Sequence, residues 1–280
     1  MKFETKSKTQ DVKVDGKIVG KLDPKSNNLA YFHSATPDSP LSNLYVPETG
    51  FNLYYKNGKF AAENAKGARK FHFSSVEQVF AFGKTLTMND KETARNTYMI
   101  KPEVAKKDPA IFRRLGRSVK HFDSTKWDKM ADKWMELGMK AKFEQDDFSK
   151  RTLKAVQNYN LVEANPYDRT WGIGRGVTDD FSTYNGQNKQ GKNLMDVARK
   201  LGLRPQIQKT MQASQKQTDQ VQSKQIMQNK SQPASQIKQD NSATLQNSKS
   251  SAQNDVQLPS VDESELASED TSTFNDPYSY

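Results

Sequence analysis

The chain has 280 residues, and its 43 basic and 33 acidic side chains give it a formal net charge of +10. It contains no cysteine, which excludes a disulfide framework, a thiol nucleophile and a cysteine-ligated metal site. The mean hydropathy of −0.94 is low for a chain that folds throughout. Since no apolar run is long enough to span a bilayer and the N-terminal segment lacks the apolar core of a signal peptide, we expect a cytoplasmic protein without a membrane partner.

Composition and charge divide the chain near Pro205. Residues 205–280 carry 6 Lys, no Arg and 9 acidic residues, a net charge of −3, which leaves +13 for residues 1–204. Residues 206–257 contain 15 Gln among Ser, Asn and Lys, so this segment has too little apolar surface to offset its chain entropy. We predict a long disordered Gln-rich tail over 205–280. The basic remainder favours an anionic partner, and the alternative is a soluble surface that is merely basic.

Two β-hairpins are predicted in the first part of the chain. Asp15-Gly16 lies between alternating apolar residues in "DVKVDGKIVGKL", and Asn57-Gly58 does the same in "NLYYKNGKFAA". Both dipeptides are typical of tight hairpin turns.

Helical patterns dominate the remainder of the predicted fold. The segment "KWDKMADKWMELGMKAKF" places apolar residues three and four apart, which is typical of an amphipathic helix. Shorter helices are predicted at "FSKRTLKAVQ" and "NLMDVARKLGL", and another at "EVAKKDPAIFRRLG" breaks near Pro109. The fold class is therefore α+β, a helix-dominated single domain with small β-hairpins.

An acid and an amine share one stripe of a nearly all-apolar helix in "SSVEQVFAFGK". Glu77 and Lys84 are seven residues apart, so they project about 20° from each other and about 10 Å apart along the helix axis. Both side chains could reach one ligand between them. The alternatives are that Glu77 closes a capping box with Ser74 and that Lys84 extends to solvent near the helix end; a second possible box joins Ser75 and Gln78.

A second candidate site lies in "LVEANPYDRTWGIGRG", residues 161–176. This glycine-rich stretch offers hydrogen-bonding side chains, a ring for stacking and close backbone approach, all of which suit a ligand site. The alternative is a turn-rich connection with a core tryptophan. The candidate residues are Glu163, Asn165, Asp168, Trp171 and Gly172.

Weaker signals come from three further motifs. "GKNL" precedes the last predicted helix, where Lys192 and Asn193 could bind an anion, although Asn193 could equally be an ordinary N-cap. Arg117 follows a glycine in "LGR", and Trp127 opens the long amphipathic helix, where a plain core position is the alternative. The three His residues lack metal-ligand spacing, so no metal is predicted.

The order and spacing of these motifs resemble the NADAR family, also called YbiA-like. The resemblance covers about residues 31–203, and its most specific part runs from Glu163 to Gly174. It divides the chain into an N-terminal hairpin extension (1–27), a NADAR-like domain (28–204) and the tail (205–280). Members of this family are N-glycosidases. Their substrates are phosphoribosylamino-pyrimidine intermediates of riboflavin synthesis and, for other members, ADP-ribose attached to guanine in nucleic acid.

The resemblance carries over to individual residues. Glu77 and Lys84 match the acid and the lysine of the family's S-V-E helix, and Gln78 stands where the family usually has histidine. The other matching positions are Asn43 in "LSNLY", Arg117, Trp127, Glu163, Asp168, Trp171 and Gly172.

The implied chemistry is hydrolysis of a ribosyl N-glycosidic bond without a cofactor. Glu77 would stabilise a cation-like ribose or activate water. Lys84 would either bind phosphate or attack a ring-opened sugar as a Schiff-base nucleophile. The alternative is a non-catalytic module that binds ADP-ribose or nucleic acid. The tryptophans would stack the base, Glu163 and Asp168 would hydrogen-bond base or ribose, and Arg117 and Lys192 would contact phosphate.

Overall fold

The computed structural model describes residues 9–206, which form two small sheets and a set of packed helices. The strands run in the order β1-β2-β3-β7 in one sheet and β5-β4-β6 in the other. Their bounds are β1 Gln10–Val14, β2 Lys17–Asp23, β3 Asn28–Tyr31, β4 Phe51–Lys56, β5 Lys59–Ala61, β6 Arg69–Phe73 and β7 Asn160–Glu163.

Both predicted hairpins are confirmed. β1 and β2 pair antiparallel around Asp15-Gly16, and β4 and β5 pair around Asn57-Gly58. All four turn residues have positive φ, between 49° and 77°, as the tightest hairpin turns require.

The pairing of β3 with β7 is parallel and joins distant parts of the chain. Tyr31 at the end of β3 lies beside Glu163 at the end of β7. Because the carboxyl ends of parallel strands meet at one edge, this pairing brings the segment after β7 next to the segment after β3.

Seven α-helices cover the sheets in the described part of the chain, and the α+β fold class is confirmed. The predicted break at Pro109 separates α3 from α4. The helix α2 has no counterpart in the sequence-based prediction. The bounds are α1 Val76–Thr87, α2 Lys91–Tyr98, α3 Pro102–Lys107, α4 Ile111–Arg117, α5 Ser124–Gln145, α6 Asp147–Ala155 and α7 Lys189–Lys200.

The core centres on α1 against α5. Gly83 of α1 lies directly on the ring of Trp134, and a Cβ at this glycine would stand only 2.1 Å from the indole. Trp134 is itself 2% exposed, so the ring has little room to move. The missing side chain lets the two helices approach closely and holds the inner face of α1 in one position.

Gly83→Ala is expected to lower the free energy of unfolding by about 1–3 kcal/mol through overpacking. Helix propensity alone would favour alanine, so a net loss of stability can be attributed to the clash with Trp134. Gly116→Ala is the matched control, because its added Cβ would meet Ala81 at an ordinary 3.7 Å. Denaturant unfolding of both variants measures the difference, and equal stability of the two would contradict the packing account.

Some predictions lie beyond these observations. The tail prediction falls outside the described residues from position 207 onward. The domain boundaries at 27 and 204 stay predictions. Within residues 9–206, no helix has the length and apolar content needed to cross a membrane.

Candidate active site

A cavity of about 430 Å³ opens between α1, α4, α5 and the segment that follows β7. Nine of the sequence-predicted site residues contribute to its wall. These nine are Asn43, Glu77, Lys84, Arg117, Trp127, Glu163, Asn165, Asp168 and Trp171.

The start of α1 is capped without Glu77. Ser75 is the N-cap, and its hydroxyl accepts a hydrogen bond from the backbone N–H of Gln78 at 3.2 Å. The Gln78 side-chain oxygen in turn accepts from the backbone N–H and the hydroxyl of Ser74, at 2.7 and 2.9 Å. The capping interpretation of Glu77 is therefore wrong, and the box at Ser75 and Gln78 leaves its carboxylate available to the cavity.

Glu77 is held in place by its neighbours on two sides. Its backbone N–H donates to the carbonyl of Asn43 at 3.0 Å, and its Oε1 lies 3.7 Å from Nε of Arg113. Burial raises the pKa of Glu77, while Arg113 and Arg117 oppose the rise and Asp168 adds to it. Glu77 thus presents to the cavity a carboxyl group that is 14% exposed. One arginine, Arg113, partly balances the charge of its ionised form.

Lys84 reaches the same cavity from the next turns of α1. Its Nζ donates to the carbonyl of Gly116 at 2.7 Å and lies 4.2 Å from the centre of the Phe122 ring. Burial, followed by the repulsion of Arg117, lowers the pKa of Lys84. Among the described residues, no carboxylate lies within ion-pair distance of this amine. These surroundings favour the neutral form of the amine more than the solvent around an exposed lysine would.

Glu163 is the most strongly perturbed carboxyl group of the cavity. It ends β7 and is 6% exposed, and its Oε2 has no hydrogen-bond partner. Burial raises its pKa to about 8, with a further rise from Asp168 and Glu77 and an opposing effect from Arg113. Glu163 is therefore mostly protonated at neutral pH and can donate a proton.

Gly172 shapes this carboxyl pocket without lining the cavity. A Cβ at Gly172 would lie 2.4 Å from Oε2 of Glu163 and 2.9 Å from the backbone oxygen of Asp168. The glycine is required because the chain folds back directly onto the glutamate. It therefore acts on the shape of the site from behind Glu163.

The segment after β7 is organised by its own polar side chains. Asn165 Oδ1 accepts from the backbone N–H of Tyr167 at 3.0 Å. Asp168 Oδ1 accepts from the backbone N–H groups of Thr170 and Trp171, both at 2.8 Å. These turns present Tyr167, which is 95% exposed, at the rim of the cavity.

An aromatic wall faces the acids. Phe80 of α1 lies between the two tryptophans, with ring centroids 4.8 Å from Trp127 and 5.1 Å from Trp171. Lys189 lies 5.6 Å above the Trp171 ring. This wall offers a surface on which a planar base can stack.

Asn43 lines the cavity with its side chain. Its Nδ2 donates to the sulfur of Met135 at 3.1 Å, while its buried Oδ1 has no partner. A buried acceptor without a partner costs free energy in the folded protein.

Lys192 and Asn193 are not brought to the cavity. The last helix begins at Lys189, two residues before the predicted glycine, so both lie inside α7. Asn188 occupies the N-cap, which makes the N-cap alternative for Asn193 wrong. Lys192 is exposed, and Asn193 donates to Asp132 Oδ1 at 3.4 Å. Their part in substrate binding stays a prediction without support from this geometry.

Several lining residues escaped the sequence analysis. Arg113 precedes Arg117 by four residues, so helical spacing could have placed both on one face. Gln190 reaches the cavity from α7, and Phe32 from the segment after β3, through pairings that local patterns do not reveal. Among residues 9–206, no cluster of three or more His, Cys, Asp and Glu is arranged to hold a metal.

Comparison with known proteins agrees with the sequence resemblance. An N-glycosidase of Acanthamoeba polyphaga mimivirus is 27% identical over 178 residues, which are 62% of this chain and 96% of the relative. Protein irg-1 of Caenorhabditis elegans is 25% identical over 177 residues, covering 59% of this chain and 81% of that protein. The NMR structure of the E. coli protein YbiA aligns over 63% of this chain and 85% of its own, with 19% identity and a TM-score of 0.44. The NADAR domain pattern matches residues 31–202, more than half of the chain, and the protein therefore belongs to the NADAR family.

Proposed function

We propose that the protein is a hydrolase that cleaves the N-glycosidic bond between a ribosyl group and a base-like nitrogen. The observation that carries this proposal is the meeting of Glu77, Lys84 and Glu163 in one cavity beside an aromatic wall. Membership of the NADAR family and similarity to a viral protein named as an N-glycosidase support it.

Glu163 is assigned the role of general acid. Departure of a base requires a proton on the nitrogen that leaves, and a carboxyl group with a pKa of about 8 carries that proton at neutral pH. Its Oε2 is buried against Gly172 without a hydrogen-bond partner, which adds to the cost of ionising this carboxyl group.

Glu77 is assigned to the sugar. The anomeric carbon becomes cation-like while the ribose ring opens, and a carboxylate beside it stabilises that charge. The nearby Arg113 helps to keep Glu77 ionised despite its burial. The same carboxylate can accept a proton from the attacking water.

Lys84 is assigned as a nucleophile on the sugar. Ring opening breaks the C1–O4' bond, moves the N–H proton of the riboside to O4', and leaves C1 doubly bonded to the base nitrogen. The neutral amine adds to that C1, and the base leaves as a free amine because its nitrogen takes the two amine protons of Lys84 through the general acid. Water then hydrolyses the resulting imine, which returns the amine and releases the sugar. The lowered pKa of Lys84 favours this role over phosphate binding, since a phosphate-binding lysine works as a cation.

The proposed substrates are phosphorylated ribosides. Arg113 and Arg117 supply positive charge at the cavity for phosphate, and the aromatic wall receives the base. The two candidate classes are a phosphoribosylamino-pyrimidine and ADP-ribose attached to guanine in nucleic acid.

A turnover screen of both substrate classes tests this function. The purified protein is mixed with each riboside, and free base and free ribose phosphate or ADP-ribose are separated by chromatography. Release of product from one class identifies the substrate. Tight binding without release from either class would overturn the hydrolase assignment and support a non-catalytic binding module.

Turnover is expected to slow at alkaline pH. Glu163 donates only while protonated, so kcat/KM should decline as the pH rises through about 8. Glu163→Gln should be slow and should lose this alkaline limb. A wild-type profile that stays flat from pH 6 to 9.5 would remove Glu163 from the proton transfer.

A further inference from the structure

Basic and acidic side chains lie close together in the cavity. Three basic and three carboxyl side chains line it, so an arriving anion changes the electrostatic potential at each carboxyl group. The basic side chains are Lys84, Arg113 and Arg117, and the carboxyl groups are Glu77, Glu163 and Asp168.

Arg113 is the cation that links the two glutamates. Its Nε lies 3.7 Å from Oε1 of Glu77, and its charge opposes the rise in pKa of both Glu77 and Glu163. The contact with Glu77 is a loose ion pair, longer than a hydrogen bond. The arginine side chain is 37% exposed while that of Glu77 is 14% exposed, so Arg113 is the partner that an incoming anion can reach.

Other ionisable groups also act on the glutamates and on Arg113. His33, in the segment after β3, has its pKa lowered by burial and then by the charge of Arg113. Glu163 faces the buried Tyr31 hydroxyl from β3 and the Asp168 carboxylate from its own loop. Glu77 is affected by Asp168 and by Arg117 as well as by Arg113. The lining residues from α5 and α7 are uncharged.

We propose that Arg113 couples the binding of an anionic substrate group to the uptake of a proton by Glu163, while Glu77 stays ionised. The inference rests on the proposed function only in taking this cavity as the substrate site. The anion pairs with the exposed guanidinium of Arg113 and cancels part of its charge. A carboxylate at Glu163 then becomes costlier, so Glu163 accepts a proton from solvent, while Glu77 keeps its contact with Arg113 and the effect of Arg117. No bond of the ligand is made or broken in this step.

As a consequence, the bound phosphate helps to keep the general acid Glu163 protonated. A substrate with its phosphate in place keeps Glu163 protonated at a pH where the empty site has begun to lose the proton. A riboside without phosphate lacks this effect. Selection for phosphorylated substrates then acts on the chemical step as well as on binding.

Titration calorimetry with sulfate tests the coupling in the full chain. Sulfate carries a fixed double charge from pH 6 to 9, so any protons exchanged belong to the protein. The apparent binding enthalpy is measured at pH 8 in buffers of different ionisation enthalpy. A rise of one unit from a pKa of about 8 gives uptake of about 0.4 proton per sulfate bound.

Two arginine variants separate coupling from affinity. Arg113→Met should reduce the uptake per bound sulfate to near zero, whereas Arg117→Met should weaken binding and retain most of the uptake. Glu163→Gln should remove most of the uptake at pH 8. Thermal unfolding establishes that each variant is folded.

The proposal is overturned if sulfate fails to bind, if it binds the wild type without proton uptake, or if Arg113→Met takes up as many protons as the wild type. These measurements involve no turnover. An inactive protein that shows the coupling would refute the hydrolase function alone, and an active one without it would refute the coupling alone.

Discussion

Glu77→Gln is expected to lower kcat by about 10²–10⁴-fold, the range that a positioned acid–base group contributes. Glutamine keeps the shape of the side chain and removes the charge that would stabilise the cation-like sugar. The fold should be unaffected, because Ser75 and Gln78 form the cap and the contact to Asn43 uses only the backbone of residue 77. Steady-state kinetics and thermal unfolding measure the two properties separately.

The chain offers a matched control for this substitution. Glu136 of α5 is 42% exposed and pairs with Lys200 at 2.5 Å on the surface. Glu136→Gln makes the same chemical change outside the cavity and should leave kcat unchanged. A folded Glu77→Gln protein with wild-type activity would show that this acid has no part in the reaction.

Borohydride added during turnover is expected to trap a covalent sugar adduct on Lys84. Reduction converts the transient imine into a stable secondary amine, seen as a mass increase on the peptide that contains this lysine. Lys84→Arg should be inactive, because a guanidinium stays charged and is no nucleophile at neutral pH.

Lys142 is the internal control for the trapping experiment. It is fully buried, its pKa is lowered to about 7, and its Nζ donates to the carbonyls of Pro40 and Ser42 outside the cavity lining. A lowered pKa without access to substrate should give no adduct. If no adduct forms on Lys84 and the Lys84→Arg protein stays active, the lysine binds phosphate and the covalent route is wrong.

Local patterns predicted the parts of the site that a single helix or loop defines. The spacing of Glu77 and Lys84 on an apolar helix placed both on one face, and both line the cavity. The stretch from Leu161 to Gly176 stood out because polar side chains, a tryptophan and glycines occur together, and four of its five candidates line the same cavity.

The other features of the site depend on contacts between distant segments, which local patterns do not reveal. The parallel register of β3 and β7 sets Tyr31 beside Glu163, and nothing within either strand indicates the other. The high pKa of Glu163 follows from burial by several elements at once, which no local pattern reports. Lys192 and Asn193 were misplaced relative to the helix start because Asn188, with φ of 51°, begins α7 earlier than the glycine suggested.

One comparison of turnover rates tests most directly whether this cavity is the active site of an N-glycosidase. The release of free base from the phosphorylated riboside identified by the screen is followed for the wild type, Glu77→Gln, Lys84→Met and Lys200→Met. We expect release by the wild type and by the surface variant Lys200→Met, and a loss of at least about 10²-fold in both cavity variants. Wild-type rates in the folded Glu77→Gln and Lys84→Met proteins would contradict the assignment.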